Sequence, residues 1–371
     1  MATTISIETL SSDPYPLIAQ LREGQPVVWA PPLGRWLVAR RDLILDVLAD
    51  PERFTTDHDR SPIRSTFGAQ MLSTDGAEQR RHRAPYAPAF RPRALRDHVA
   101  HSVHARAADI VAGLRRGDDL TEPASRMAVS TVLDMVGLAD IATVETVATW
   151  YDALAAALAN VTDDPDVAAD GRRAAASFGA AMVEAARANG AVDDGLTSEE
   201  RVSNTLLVLF GGIETTQAAI LNALWALVVH PEAQAAVRAD TALLVAAVEE
   251  SLRWEPAVLT LTRFTTADVV LDGVTLPADS TVECLIAGAN RDPAHFNDPD
   301  RFDVGRPNAG DHLTFGHGRH FCLGAFLARL EAQAFVSSLL ERSDTLVFAT
   351  EDPPPPTGHE FRKPRELRLA W

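Results

Sequence analysis

The feature that most constrains this chain is one long helical pattern, Ser198–Val229, about 32 residues and ~48 Å at 1.5 Å per residue. A rod of that length is a fixed element around which the rest has to fold. His230-Pro231 ends it, because proline disfavours the helical conformation in the residue before it. Gly211-Gly212 interrupts it. Each glycine in a helix interior costs roughly 1 kcal/mol, which favours a purpose for the pair.

The rest is mostly helical, with a small β region. The first 60 residues mix a short amphipathic helix near Tyr15–Arg22 with strand-like pieces at Pro26–Trp29 and Trp36–Ala39. From Leu95 to Arg187, alanine and leucine dominate and apolar residues recur at three and four, the helical period. Asp240–Trp254 reads as a further helix. Thr260–Val282 then brings β-branched residues, an Asp272-Gly273 turn and Pro277, the signature of short strands. Asn290–Thr314 is rich in Asp, Pro, Asn and Arg and reads as an irregular meander. Cys322–Glu341 is helical again, with Leu323, Phe326, Leu327, Leu330 and Ala334 on one face. There is no internal repeat, and a single domain over residues 1–371 is expected.

Composition narrows the function. The net charge is −17 and the pI near 5.0, so the surface repels phosphate backbones and nucleic acid is disfavoured as a partner. No uninterrupted apolar run approaches the ~20 residues that span a bilayer, and Met1–Pro16 lacks the basic and apolar segments of a signal peptide. A cytoplasmic, monomeric protein is expected. With two cysteines, Cys284 and Cys322, a disulfide scaffold is disfavoured, and a buried small hydrophobe is the ordinary role for each.

Cys322 stands in an unusual setting. Phe315-Gly-His-Gly-Arg-His-Phe-Cys322-Leu-Gly324 directly precedes the last helix. Its first glycines allow tight turning and close approach to something flat. Free amides and the positive end of a helix stabilise a thiolate. Such a thiolate suits a soft or redox metal; a buried cysteine at a helix cap is the plainer reading.

This segment resembles the haem-binding signature of the cytochromes P450, F-G-x-G-x-H-x-C-x-G, with Phe315, Gly316, Gly318, His320, Cys322 and Gly324 at its fixed positions. Other marks of that family follow in order. Glu250-Ser-Leu-Arg253 matches its E-x-x-R motif, and Arg301, in Asp298-Pro-Asp-Arg-Phe302, stands where a third, meander partner is expected. Without the resemblance, Glu250 and Arg253 would read as a surface pair worth little. Pro51-Glu-Arg-Phe54 looks similar to the meander string but comes too early. Gly211-Gly212-Ile-Glu214-Thr215-Thr216 matches [AG]-G-x-[DE]-T, in which Glu214 is the acid and Thr215 the alcohol of a proton relay.

The resemblance implies a mainly α fold with haem b between the long central helix and the Cys-loop helix, and Cys322 as the iron's axial ligand. Arg83, Arg263 and His320 are expected to hold the haem carboxylates. Many relatives carry a histidine four residues before the first of these; here that position is Gln79, whose amide can donate one bond. Pro85 and Pro88 are expected to end that helix early, and the connector Ala188–Glu200 looks abbreviated. Leu72, Leu207, Phe210, Gly211, Leu259 and Leu261 are expected around the substrate, with plain core packing as the alternative for each side chain. Their apolar character favours a small or medium hydrophobic substrate.

The implied activity is insertion of one oxygen atom from O2, usually as a hydroxylation. A peroxide-driven enzyme of the same fold and a non-catalytic haem gas sensor are the alternatives, and the intact Glu214-Thr215 pair disfavours both. No segment resembling a flavin or iron–sulfur domain is recognised, so electrons are expected to come from a separate protein. Arg80, Arg81, Arg83, Arg91, Arg93 and Arg96 form a stretch without acids that suits an acidic ferredoxin.

Overall fold

A computed structural model describes residues 5–140, 142–158, 164–189, 194–342 and 344–371. In chain order its helices are α1 (Ile7–Ser12), α2 (Tyr15–Glu23), α3 (Arg41–Ala49), α4 (Pro62–Phe67), α5 (Gly76–Arg83), α6 (Pro92–His98), α7 (Ala100–Ala112), α8 (Thr121–Val136), α9 (Val144–Leu158), α10 (Pro165–Asn189), α11 (Ser198–Val229), α12 (Pro231–Ala239), α13 (Leu243–Trp254), α14 (Ile286–Asn290) and α15 (Ala325–Leu340). The strands are β1 (Val27–Ala30), β2 (Arg35–Val38), β3 (Phe54–Thr55), β4 (Thr260–Thr265), β5 (Val269–Leu271), β6 (Val274–Leu276), β7 (Thr281–Leu285), β8 (Val347–Phe348) and β9 (Leu369–Ala370). The expected long helix occupies the same residues, Ser198–Val229. It is long and apolar enough to cross a bilayer, but most of its apolar stretch is buried inside the protein.

The chain divides into two compact units. One comprises Met1–Thr55, Arg96–Ala124 and Thr215–Trp371. Its five-stranded sheet has the order β1-β2-β7-β4-β3, with β2 and β7 parallel and the other neighbours antiparallel. The alternation of side chains along a strand divides two cores between its faces. Val38, Val282 and Cys284 join Ile44, Val47, Phe54 and Leu313 on one side, while Leu37, Leu259 and Leu285 join Leu10, Leu17 and Ile18 on the other. Gly288 is where α14 presses closest: a Cβ there would lie 2.7 Å from the Ala39 carbonyl oxygen and 2.8 Å from Ile18. Helix α15 packs between α7 and α13. This arrangement fixes α13 beside the start of α15, where the Cys loop enters.

The other unit comprises Thr56–Leu95 and Ser125–Glu214. Helices α9 and α10 lie against each other so closely that a Cβ on Gly171 would come 2.4 Å from that of Ala157. Aromatic rings complete its core: Trp150 meets Phe178 edge-on at 5.7 Å, and Phe210 lies against both Phe67 and Tyr151. As the prolines predict, α5 stops at Arg83. The abbreviated connector expected over Ala188–Glu200 lies in part, at residues 190–193, outside the described residues.

Candidate active site

Helix α13 carries Glu250 and Arg253 on one face, three residues apart, and both are fully excluded from water. They form a two-pronged pair, with Arg253 Nε donating to Glu250 Oε2 at 2.7 Å and Nη2 to Oε1 at 2.8 Å. A buried charge is tolerated only when it is paired and hydrogen-bonded on every side. The remaining donors therefore serve the meander. Arg253 donates to the carbonyls of Asn290, Pro299 and Arg301, and the Asp303 amide donates to Glu250 Oε1 at 2.9 Å.

The third member of this cluster is Arg306, which corrects the expected Arg301. Arg306 Nε lies 3.0 and 3.2 Å from the two Glu250 oxygens, and its other nitrogens donate to the carbonyls of Asn297, Asp298 and Arg301. Arg301 is exposed and contributes its carbonyl, not its charge. The cause is local. Meander backbone has no strand or helix to satisfy it, so the guanidiniums take that role, and Arg301 lies where its main chain is the part that faces inward.

The next residues of α13 grip the Cys loop. Thr314 Oγ1 donates to the Leu252 carbonyl at 2.6 Å and accepts from Asn290 Nδ2 at 2.8 Å, while Asn290 Oδ1 accepts from the Leu313 amide at 2.7 Å. Glu249 pairs with Arg329 of α15 and lies 3.1 Å from His312 Nε2. Burial works against ionising Glu249, but the bonds from Arg329 and His312 outweigh it and bring its pKa to about 2. Burial holds the His312 imidazole below its ordinary value, the Glu249 carboxylate opposing this. The Arg329 guanidinium also lies over the Phe315 ring, 4.3 Å from its centre. No motif revealed Arg306, Glu249, His312 or Arg329; each lies within four residues of one that a motif did mark, apart from the two arginines.

The Cys loop turns through Gly316 and Gly318, both at φ 72°, a region that favours glycine. A Cβ on Gly318 would stand 3.0 Å from the Leu48 carbonyl oxygen, and one on Gly316 would lie 3.4 Å from Leu261. A 3-10 turn, Gly318–His320, follows and carries the half-buried His320. The Cys322 amide donates to the Phe315 carbonyl at 2.8 Å and closes the loop. Helix α15 begins at Ala325 with Gly324 as its cap, so Cys322 precedes the helix instead of opening it, as the sequence pattern had implied. A Cβ on Gly324 would meet nothing within 4 Å.

The two cysteines differ sharply. Cys284 on β7 is wholly buried and burial pushes its thiol up to about 12, so it stays protonated. Cys322 is exposed, and so are Phe321 and Phe326 near it in the chain. An accessible thiol on a glycine-turned loop, in a segment that also exposes apolar rings, fits a flat, apolar macrocycle with a metal at its centre. In the same unit, Arg263 on β4 is buried and donates to the Thr262 carbonyl at 2.8 Å. Leu261 packs beside the loop, 3.4 Å from where a Cβ on Gly316 would stand, whereas Leu259 takes the core-packing alternative. Leu259 precedes β4 and packs with Leu10 and Leu17 in the core on the other face of the sheet.

The second unit carries the other expected residues. Gln79 is buried on α5, and Arg83 half-buried at its end. Leu72 and Leu207 are half-buried. Phe210 is buried, its ring 5.3 Å from Phe67 and 5.1 Å from Tyr151, so it packs in an aromatic cluster. The two glycines of α11 serve different ends. A Cβ on Gly212 would come 3.2 Å from Val132, whereas one on Gly211 would meet nothing within 4 Å. Gly211 is thus exposed backbone facing open space, one turn before Glu214 and Thr215, both half-buried.

Removing Arg306 leaves Glu250 short of a buried partner, so Arg306→Ala should lose about 3–5 kcal/mol in chemical denaturation. Arg301→Ala keeps the carbonyl and should stay within roughly 0.5 kcal/mol of wild type. The reverse order of these two would restore Arg301 as the third partner.

Comparison with known proteins supplies the family. The profile described as cytochrome P450 matches residues 168–368. Cytochrome P450 monooxygenase PikC of Streptomyces venezuelae is 36% identical over 369 residues, covering 92% of this chain and 86% of PikC. Vitamin D(3) 25-hydroxylase of Pseudonocardia autotrophica is 30% identical over 376 residues, covering 92% of this chain and 89% of the hydroxylase. The solved structure of cytochrome P450 CYP109Q5 from Chondromyces apiculatus superposes with a TM-score of 0.86 at 30% identity, over 98% of this chain and 96% of that one. The chain therefore belongs to the cytochrome P450 family, as a haem-thiolate monooxygenase whose cofactor is haem b.

Proposed function

We propose that the enzyme hydroxylates a small or medium hydrophobic molecule with O2, and that Cys322 supplies the thiolate to the haem iron. The contrast between the two thiols carries this reading: one is exposed on the glycine loop, and the other is buried and held protonated. Haem, when bound, supplies an iron that binds dioxygen and accepts electrons, and thiolate ligation favours cleavage of the O–O bond. Arg83, Arg263 and His320 are the residues to hold its carboxylates, with Gln79 as an amide donor. A buried guanidinium such as Arg263 favours an anionic partner. Phe315, Gly316, Gly318 and Gly324 shape the loop that takes the macrocycle.

Glu214 and Thr215 are the proton-delivery pair. Glu214 holds and releases the proton, and the Thr215 hydroxyl passes it on. Gly211, open on one side and one turn earlier, leaves room for a small molecule or water. Leu72, Leu207 and Leu261 are the apolar side chains we assign to the substrate, while Phe210 is held in its aromatic cluster by Phe67 and Tyr151. A relative named as a vitamin D(3) 25-hydroxylase supports hydroxylation of a hydrophobic molecule.

An acidic ferredoxin is the proposed electron donor. Arg80, Arg91, Arg93 and Arg96 are exposed, in a chain of net charge −17. Arg81 leaves this set, because it is bound to Glu78 and Glu200. The same net charge keeps copies apart, which supports a monomer, and a cytoplasmic location belongs to the same proposal.

Thr215→Ala should keep haem content and substrate affinity while product per reductant falls roughly tenfold or more and peroxide rises. Unchanged coupling would remove the relay role. Reduction by an acidic ferredoxin should slow between 0.1 and 1 M salt, as the screening length falls from ~10 to ~3 Å. Charge reversal at Arg80 or Arg91 should slow it as well, leaving substrate affinity alone. A rate insensitive to both would remove the docking assignment.

A further inference from the structure

Tyr151, on α9, belongs to no sequence motif and is one of only three tyrosines in the chain. Its ring is 6% exposed and lies nearly parallel to that of Phe210, with centres 5.1 Å apart and planes at 17°. Phe210 is held in turn by Phe67 at 5.3 Å. The plane of the tyrosine is thus fixed from its face. Phe210 and Glu214 are four residues apart on α11, so they share one side of that helix, one turn from each other. At that next turn Glu214 is the charged neighbour of the Tyr151 hydroxyl.

The hydroxyl oxygen is itself buried and makes no hydrogen bond of ordinary length and angle. A buried phenol needs an acceptor. Its neighbour is Glu214: burial first, and then the negative charge and acceptor oxygens of Glu214, raise the phenol far above its ordinary value. The group is therefore a donor at every working pH. The terminal torsion of a glutamate is soft, so a small rotation of the carboxylate completes the bond.

We propose that Tyr151 is a positioning residue for proton delivery, its phenol donating to the Glu214 carboxylate and holding it in one orientation on α11. This rests on the assignment of Glu214 as the relay acid. A carboxylate held at a fixed site serves proton transfer better than one free to turn, because the transfer demands hydrogen-bond geometry at the moment of reaction. The aromatic stack is what makes the donor rigid, so the hydroxyl and the ring have separable roles.

Tyr151→Phe keeps the stack and removes only the donor. Haem content, melting temperature and substrate affinity should match wild type. Product per reductant should fall about tenfold, the factor a hydrogen bond to a charged group is worth, with a matching rise in peroxide. Glu214→Gln should lower coupling at least as far. The double variant should be no worse than Glu214→Gln alone, because both act through one group. If Glu214→Gln stays fully coupled, the relay reading fails and the positioning role falls with it. If Glu214→Gln uncouples and Tyr151→Phe does not, only the tyrosine assignment is overturned. Losses that multiply in the double variant would also overturn it, since Tyr151 would then act apart from Glu214.

Discussion

One carboxylate, Glu250, holds together the part of the structure on which the Cys loop depends. It has no exposure to water and accepts from Arg253, Arg306 and the Asp303 amide. A charge placed so deep is costly unless all its neighbours are in place, so the cluster forms as a whole or not at all. Its cations do more than neutralise it. Between them, Arg253 and Arg306 satisfy the carbonyl of Asn290 at the end of α14 and those of Asn297, Asp298, Pro299 and Arg301, which lie outside any helix or strand. The meander is ordered by side-chain donors where a sheet would have used its ladder.

The same turn of α13 carries that order forward to the thiol. Glu249, next to Glu250, points elsewhere and ties His312 and α15 together through Arg329. Leu252 accepts from Thr314, the residue before Phe315. Phe315 then takes the Cys322 amide on its carbonyl and the Arg329 cation on its ring. A continuous path of hydrogen bonds and packed groups thus runs from a buried ion pair to an exposed cysteine. Catalytic thiolate chemistry needs that rigidity, because a ligand held loosely sets neither the position nor the electronics of a metal.

The sequence carried this plan unevenly. Regular elements were legible because they repeat: the helical period marks Ser198–Val229, and β-branched runs broken by Asp272-Gly273 mark β4 to β7. Motifs with fixed spacing on one helix, such as Glu250 and Arg253, were legible too. The meander was not. Its backbone follows no period, so counting residues cannot say whether Arg301 or Arg306 turns inward. Leu259 was ambiguous for a related reason: it lies just outside β4, where strand alternation no longer fixes a side, and it packs in a core cluster. Cys322 falls before α15 because glycine at 324 caps the helix there. Tyr151 left no trace at all, since a contact between α9 and α11 is a property of packing and not of either sequence segment.

Cys322 as the metal ligand is the assignment on which the function rests. The most direct measurement is the absorption of the reduced, CO-bound holoprotein in the wild type and in the two single cysteine-to-serine variants. The wild type and Cys284→Ser should both show the red-shifted band of thiolate ligation, because the Cys284 thiol is buried and protonated. Cys322→Ser should lose it. Survival of that band in Cys322→Ser, or its loss in Cys284→Ser, would contradict the assignment.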